Sequence, residues 1–207
     1  MSNTCAQLHL ALSNLDLHTF PFDKAVIPLN GIYVLFEKGE SGHDGKRIVR
    51  IGTHTGQGHL RARLEEHFLT TNKDRSIFRK NIGRALLNRD RDPFLKQWEH
   101  DLTAKSAREK LGPLVDFLKQ ADTELRVTSY IQEQFEFVVL SEPEKASRLA
   151  LEARIISTVS LCQDCMASTN WLGLSSTKDK IRESGLWQVN KLYGSGLSLS
   201  QVKQLLA

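Results

Sequence analysis

The chain predicts an α+β fold, a small three-stranded antiparallel sheet flanked by helices. Three observations carry this. The runs Gly31–Phe36, Arg47–Ile51 and Gln134–Leu140 are apolar and β-branched or aromatic, as strands are. The first two are separated only by a turn-rich stretch, Ser41-Gly42-His43-Asp44-Gly45, which makes them an antiparallel hairpin. Between and after the strands, apolar residues recur every three or four positions, the period of a helix with one buried face.

In chain order, residues 4–15 read as a short helix and residues 20–28, with Pro21 and Pro28, as a loop. The hairpin follows; its turn has several possible centres, so its register stays open. Residues 52–58 form a Gly/Thr-rich loop leading into a helix over about 59–69. There Leu60, Leu64 and Phe68 make one apolar stripe, and Arg63 and His67 share another face. A second helix is expected over 76–87, with Ile77, Ile82 and Leu86 inward and Arg79, Lys80 and Arg84 outward. Asp92-Pro93 opens a helix through Trp98, and Pro113 opens another through Leu118. After the third strand, Glu142-Pro143 starts a long helix that ends near Cys162. A loop over 167–173, a short helix from Lys178, a connector over 185–187 and a last helix from Leu199 complete the chain. The expectation is a single domain over 1–207, its core at about 28–88 and 133–175. A helical insertion takes up 89–132, and terminal additions take up 1–27 and 176–207.

Composition is that of a globular protein, 40% hydrophobic and 25% charged. No apolar run approaches a membrane span. The start, residues 1–12, lacks a charged region and a small-residue cleavage site, so it does not read as a signal peptide. The expected location is the cytoplasm. The three cysteines make no disulfide framework. Cys162 and Cys165 have the C-x-x-C spacing of half a zinc site. No second half is evident and no His is near them in sequence, so the expectation is two ordinary thiols near a helix end.

Charge is unevenly placed. Residues 46–91 hold twelve Lys and Arg against four acids, a balance of +8 in a chain of net charge +4. The remainder is therefore −4. A basic segment in an otherwise acidic chain is either a footprint for a polyanion or a solvated surface.

Four features stand in order. Gly31-Ile32-Tyr33 opens the first strand, Arg50-Ile51-Gly52 closes the second, Leu60-Arg61-Ala62-Arg63 begins the next helix, and Glu152 lies in the helix after the third strand. The set resembles the GIY-YIG nuclease family, which includes homing endonucleases, certain restriction enzymes and the incision subunit of nucleotide excision repair. The resemblance covers residues 31–84 and 135–173. It departs from the family at Arg50, where a tyrosine is usual, and in the longer spacer 34–49.

The resemblance implies roles for individual residues. Tyr33 acts on the nucleophile as general base. A phenol has an unperturbed pKa of about 10 and needs nearby cations to ionise at neutral pH. Arg50 is placed by sequence to be one. Arg63, at the family's Leu-x-x-Arg spacing, offers a fixed fork of donors to the phosphoryl oxygens. His67, one helical turn on, donates to phosphate or moves a proton, and His54 is a second candidate. Glu152 falls on the stripe of Leu149, Ile155, Ile156 and Val159, where a carboxylate is costly unless paired or metal-bound. In the family its counterpart holds a divalent cation, Mg²⁺ (or Mn²⁺); the other reading is a salt bridge to a buried arginine. Asn170 resembles a supporting asparagine and reads equally as a loop cap. Charge and helix face assign Arg61, Arg75, Arg79, Lys80 and Arg84 to DNA phosphates.

The function these residues imply is a metal-dependent DNA endonuclease. The alternative is a catalytically inactive nucleic-acid-binding module on the same fold. Arg50 favours the alternative, and the joint presence of Tyr33, Arg63 and Glu152 favours the enzyme.

Overall fold

The computed structural model describes residues 2–205; Met1 and residues 206–207, read above as the ends of the terminal additions, lie outside it. Four antiparallel strands, not three, make the sheet, in the order β1 (His18–Thr19), β4 (Phe135–Ser141), β2 (Gly31–Gly42), β3 (Gly45–Gly52). The unforeseen strand β1 pairs only His18 with Phe137 and Thr19 with Glu136. Two residues carry no periodicity, which is why it leaves no sequence signal. The helices are α1 (Ser2–Ser13), α2 (Leu60–Phe68), α3 (Ile77–Arg89), α4 (Leu95–Trp98), α5 (Lys105–Leu111), α6 (Phe117–Gln134), α7 (Lys145–Ser160), α8 (Asp179–Ser184) and α9 (Leu199–Gln204). Among the described residues, no helix is long and apolar enough to cross a membrane.

Strand β2 is central and buried on both faces. Alternation sends Ile32, Val34 and Phe36 into a core with α1 and α7. Tyr33 and Leu35 enter the opposite core with α2, α3 and α6. The hairpin register is now fixed: Gly42 opposes Gly45, and His43 and Asp44 form the turn with φ of 50° and 60°. Positive φ at both central residues is what a two-residue turn matching the strand twist requires.

Helix α3 is capped by Ser76, whose side chain accepts from Arg79 N–H. Its buried stripe is Phe78, Ile82, Ala85 and Leu86, while Ile77 is 44% exposed. Ile82 and Leu86 are buried as expected, but the insertion helices α4 and α6 and the turn over Leu172–Ser175 cover the remaining sides, so every residue from Phe78 to Leu87 is buried. Arg79, Lys80 and Arg84, expected to face outward, are therefore buried.

The insertion is helical as expected but differently divided. Pro113 sits in a 3-10 turn, Gly112–Leu114, and the long helix α6 starts only at Phe117, capped by Asp116. Trp98 clamps the insertion onto α3. Its indole donates to Lys80 O at 3.0 Å and its ring lies where a Cβ at Gly83 would stand, 2.3 Å away. The connector after α8 covers the edge of β3: Trp187 N–H donates to Val49 O, and Arg47 and Arg50 donate to Gly185 O and Trp187 O.

Candidate active site

Two glycines let Tyr33 lie where it does. A Cβ at Gly31 would meet Leu140 O at 2.4 Å on the neighbouring strand. Tyr33 is opposite Gly52 in the register, and a Cβ at Gly52 would stand 2.2 Å from Tyr33 Oη. The phenol thus lies flat across a residue that has no side chain.

From there a hydrogen-bonded chain runs inward. Tyr33 Oη is 2.7 Å from His67 Nε2, and His67 Nδ1 is 2.7 Å from Ser76 Oγ. The spacing of α2 brings His67 one turn beyond Arg63, and the cap of α3 supplies the serine. His67 is fully buried and edge-on to both Tyr33 and Phe78. Burial, and then the cations of Arg63, Arg50 and Arg79, hold its pKa well below the usual imidazole range. It is therefore neutral at pH 7.

Arg63 keeps about a quarter of its side chain in solvent. Its Nη1 donates to Glu66 Oε2 at 2.7 Å and to Arg75 O at 3.0 Å. Burial works against its charge, but the Tyr33 phenol and the Glu66 carboxylate outweigh that and raise its pKa. Arg63 and Glu66 line a cleft of about 300 Å³ with His54, His59 and residues 53–56. Arg50 stacks over Phe78 at 5.0 Å and donates to Trp187 O at 2.5 Å. Tyr33, Arg50, Arg63 and His67 are thus brought together, with Ser76 and Glu66 added.

Glu152 is not in that layer. It sits on α7, behind the opposite face of the sheet, with Oε2 2.5 Å from Lys191 Nζ. The partner is a half-exposed lysine from the C-terminal addition, not a buried arginine. Burial lowers the pKa of His54, and the charges of Arg148, one turn earlier on α7, and His59 lower it further, while the bond to the Gly56 carbonyl works against them. His54 Nε2 in turn accepts from Gly31 N–H at 3.3 Å. Asn170 is exposed on a turn flanked by Ser168 and Trp171, which bond Glu40 and Glu37. Those carboxylates lie four and seven residues beyond Tyr33 on extended β2, roughly 13–23 Å along the strand. The structure does not bring Asn170 to Tyr33.

Most of the expected phosphate contacts are engaged elsewhere. Arg79 is fully buried against Glu124, Lys80 is paired with Asp74 at 3.2 Å, and Arg84 grips Glu99 through two 2.6 Å bonds. Arg61 donates to the carbonyls of Ile27 and Ala25 and holds that loop. Arg75 remains exposed, with its backbone against Arg63. The +8 balance of residues 46–91 overstated the basic surface because the partners Glu40, Glu99, Glu124 and Glu136 lie outside that stretch.

The buried neutral His67 predicts a pH effect on stability. Its folded pKa is lowered from 6.5, so below about pH 6.5 the unfolded chain binds a proton that the folded chain refuses. Stability is full above that value and falls as pH drops, by at most about 1.4 kcal/mol per pH unit from this group. Urea unfolding between pH 7.5 and 5.0 measures it. The slope should flatten in His67→Asn; an unchanged slope would assign the acid sensitivity to other groups.

A family model described as the GIY-YIG domain matches residues 16–196, most of the chain. No curated protein and no solved structure gave a significant match.

Proposed function

The chain belongs to the GIY-YIG domain family, nucleases that act on DNA, and from that premise we propose that it is a divalent-metal-dependent DNA endonuclease. The observation that supports this best is the Tyr33–His67–Ser76 chain beside Arg63. A buried hydrogen-bonded relay ending on a phenol is more than sheet packing needs. It gives the phenolic proton somewhere to go.

In this reading a phosphodiester docks on the cleft side of Arg63, which exchanges Glu66 for the nonbridging oxygens. Burial and then the neighbouring cations keep His67 neutral; the incoming negative charge offsets the cations' part, and Nε2 takes the Tyr33 proton. The phenolate then accepts a proton from water, and the hydroxide attacks phosphorus in line with the departing oxygen. That oxygen takes a proton from solvent as its bond to phosphorus breaks, and the proton held by His67 is released to solvent through Tyr33 to reset the site. Arg63 stays on the nonbridging oxygens as charge builds there. Arg50, stacked on Phe78, adds positive charge near His67 in place of the family's second tyrosine. Arg75 meets the neighbouring backbone phosphate.

Glu152 fits a Mg²⁺ or Mn²⁺ ligand by donor type: a hard carboxylate whose oxygen already holds one cation, the Lys191 ammonium. One protein carboxylate, water and substrate phosphate make an ordinary magnesium shell. Because Glu152 lies on the other side of the sheet from Arg63, such an ion would supply Lewis-acid stabilisation only to a phosphodiester that spans the sheet end between the Arg63 cleft and α7.

The test is plasmid nicking with Mg²⁺, with EDTA and Glu152→Ala as controls. Cleavage that disappears in both, while salt-dependent DNA binding persists, is the expected result. The burial of Tyr33 and the arginine at position 50 favour a second reading, a binding module without chemistry. DNA binding without cleavage, on plasmid, branched and single-stranded substrates with either metal, would select it.

A further inference from the structure

Away from the sheet's catalytic face, three distant segments converge. Cys5 and His9 come from one face of α1, His43 from the hairpin turn, and Cys165 from the loop after α7. One ligand atom from each lies within 4.8 Å of all the others. The separations Cys5 Sγ to Cys165 Sγ and Cys165 Sγ to His9 Nε2 are each 3.7 Å. A tetrahedron with Zn–S of about 2.3 Å and Zn–N of about 2.0–2.1 Å has edges of roughly 3.3–3.8 Å. All three cysteines are free thiols.

We propose that Cys5, His9, His43 and Cys165 form a structural zinc site. Two thiolates and two neutral imidazoles are the soft donor set that selects zinc over magnesium. With both thiol protons released, the complex carries no net charge, which suits a buried position. His9 Nδ1 is 2.9 Å from the Cys5 carbonyl and donates to it, leaving Nε2 for the metal, the usual outer support of a ligating histidine. Ile48 N–H competes for Nε2 only from 3.5 Å.

The turn supplies an independent observation. His43 adopts φ of 50° beside Asp44 at 60°, a region costly for side chains and ordinarily filled by Asn and Gly. Strain there persists where the side chain is held, and ligation would hold it. His9 and His43 also line a cleft of about 550 Å³, a route by which an ion enters. Cys162, at 3.3 Å from His43 Nε2, borders the site as a bystander. The zinc would clip the N-terminal helix to the hairpin and to the end of α7, outside the catalytic layer.

The experiment is elemental analysis of untagged protein purified under reducing conditions, followed by cobalt substitution. We expect about one equivalent of zinc per chain and a thiolate-to-cobalt charge-transfer band. Cys165→Ser and His9→Ala should lose the metal, while Cys162→Ser and Glu152→Ala keep it; this separates the site from the nuclease metal. Folded wild-type protein that copurifies without zinc and takes up no cobalt would overturn the proposal, as would iron in its place. A Cys5–Cys165 disulfide in mass spectra of the native protein would overturn it equally. None of these readouts depends on cleavage.

Discussion

Tyr33→Phe should bind DNA as the parent does and cleave it about 10²–10⁴-fold more slowly, the usual contribution of a positioned base. The substitution removes one oxygen. The ring keeps its place across Gly52 and its edge contact with His67, whose centroid is 5.3 Å away. The loss therefore isolates the hydroxyl. Gly52→Ala reaches the same hydroxyl by another route: its Cβ would stand 2.2 Å from Oη and must drive the phenol off the 2.7 Å contact to His67 Nε2. If both act through that atom, the double variant should be no worse than the poorer single one. Single-turnover cleavage of a labelled duplex measures the rates, and circular dichroism melting checks the fold. A Tyr33→Phe rate equal to the parent's would remove Tyr33 from the chemistry and leave Arg63 and the metal to account for any cleavage.

The residues legible in sequence are those whose meaning is local. Gly31 and Gly52 stand at strand ends where a Cβ would strike a carbonyl or the phenol, so a three-letter motif records a packing constraint. Leu60, Leu64 and Phe68 marked the buried face of α2, and with it the face carrying Arg63 and His67. What stayed hidden depends on pairing across the chain. Ser76 could be foreseen as a helix cap but not as the partner of His67. Lys191 meets Glu152 from 39 residues away, and Cys165 meets Cys5 from 160. The sequence signal that misled was charge: counting residues 46–91 alone treated Arg79, Lys80 and Arg84 as surface, when Glu124 and Glu99 from outside the stretch and Asp74 within it pair with them in the interior. The outward face expected for α3 is covered by α4 and α6 of the insertion, a long-range packing that helical periodicity does not record.

That inward turn makes Arg79 a structural residue, and Glu124→Ala should show it by costing about 3–5 kcal/mol, the penalty for orphaning one member of a buried ion pair. Arg79 is fully buried. It spends Nη2 on Glu124 Oε2 at 2.7 Å and Thr128 Oγ1 at 2.7 Å, and Nη1 on the His67 carbonyl at 3.0 Å. Glu124 also accepts from Lys73 N–H, so the pair ties α6 of the insertion to the end of α2 and the start of α3. For a chain of this size the loss corresponds to roughly 6–20 °C in melting temperature. The cost belongs to the unpaired charge rather than to the bond. Adding Arg79→Met to Glu124→Leu should therefore recover most of it, since apolar side chains of similar volume often replace a buried pair without loss. Urea unfolding of the two single variants and the double variant measures the coupling. The salt dependence of DNA binding by the folded double variant supplies the second readout. A slope equal to the parent's keeps Arg79 out of the DNA interface, because each lost phosphate contact lowers that slope by about 0.9. A stable Arg79→Met variant with a reduced slope would return Arg79 to the surface and to the DNA.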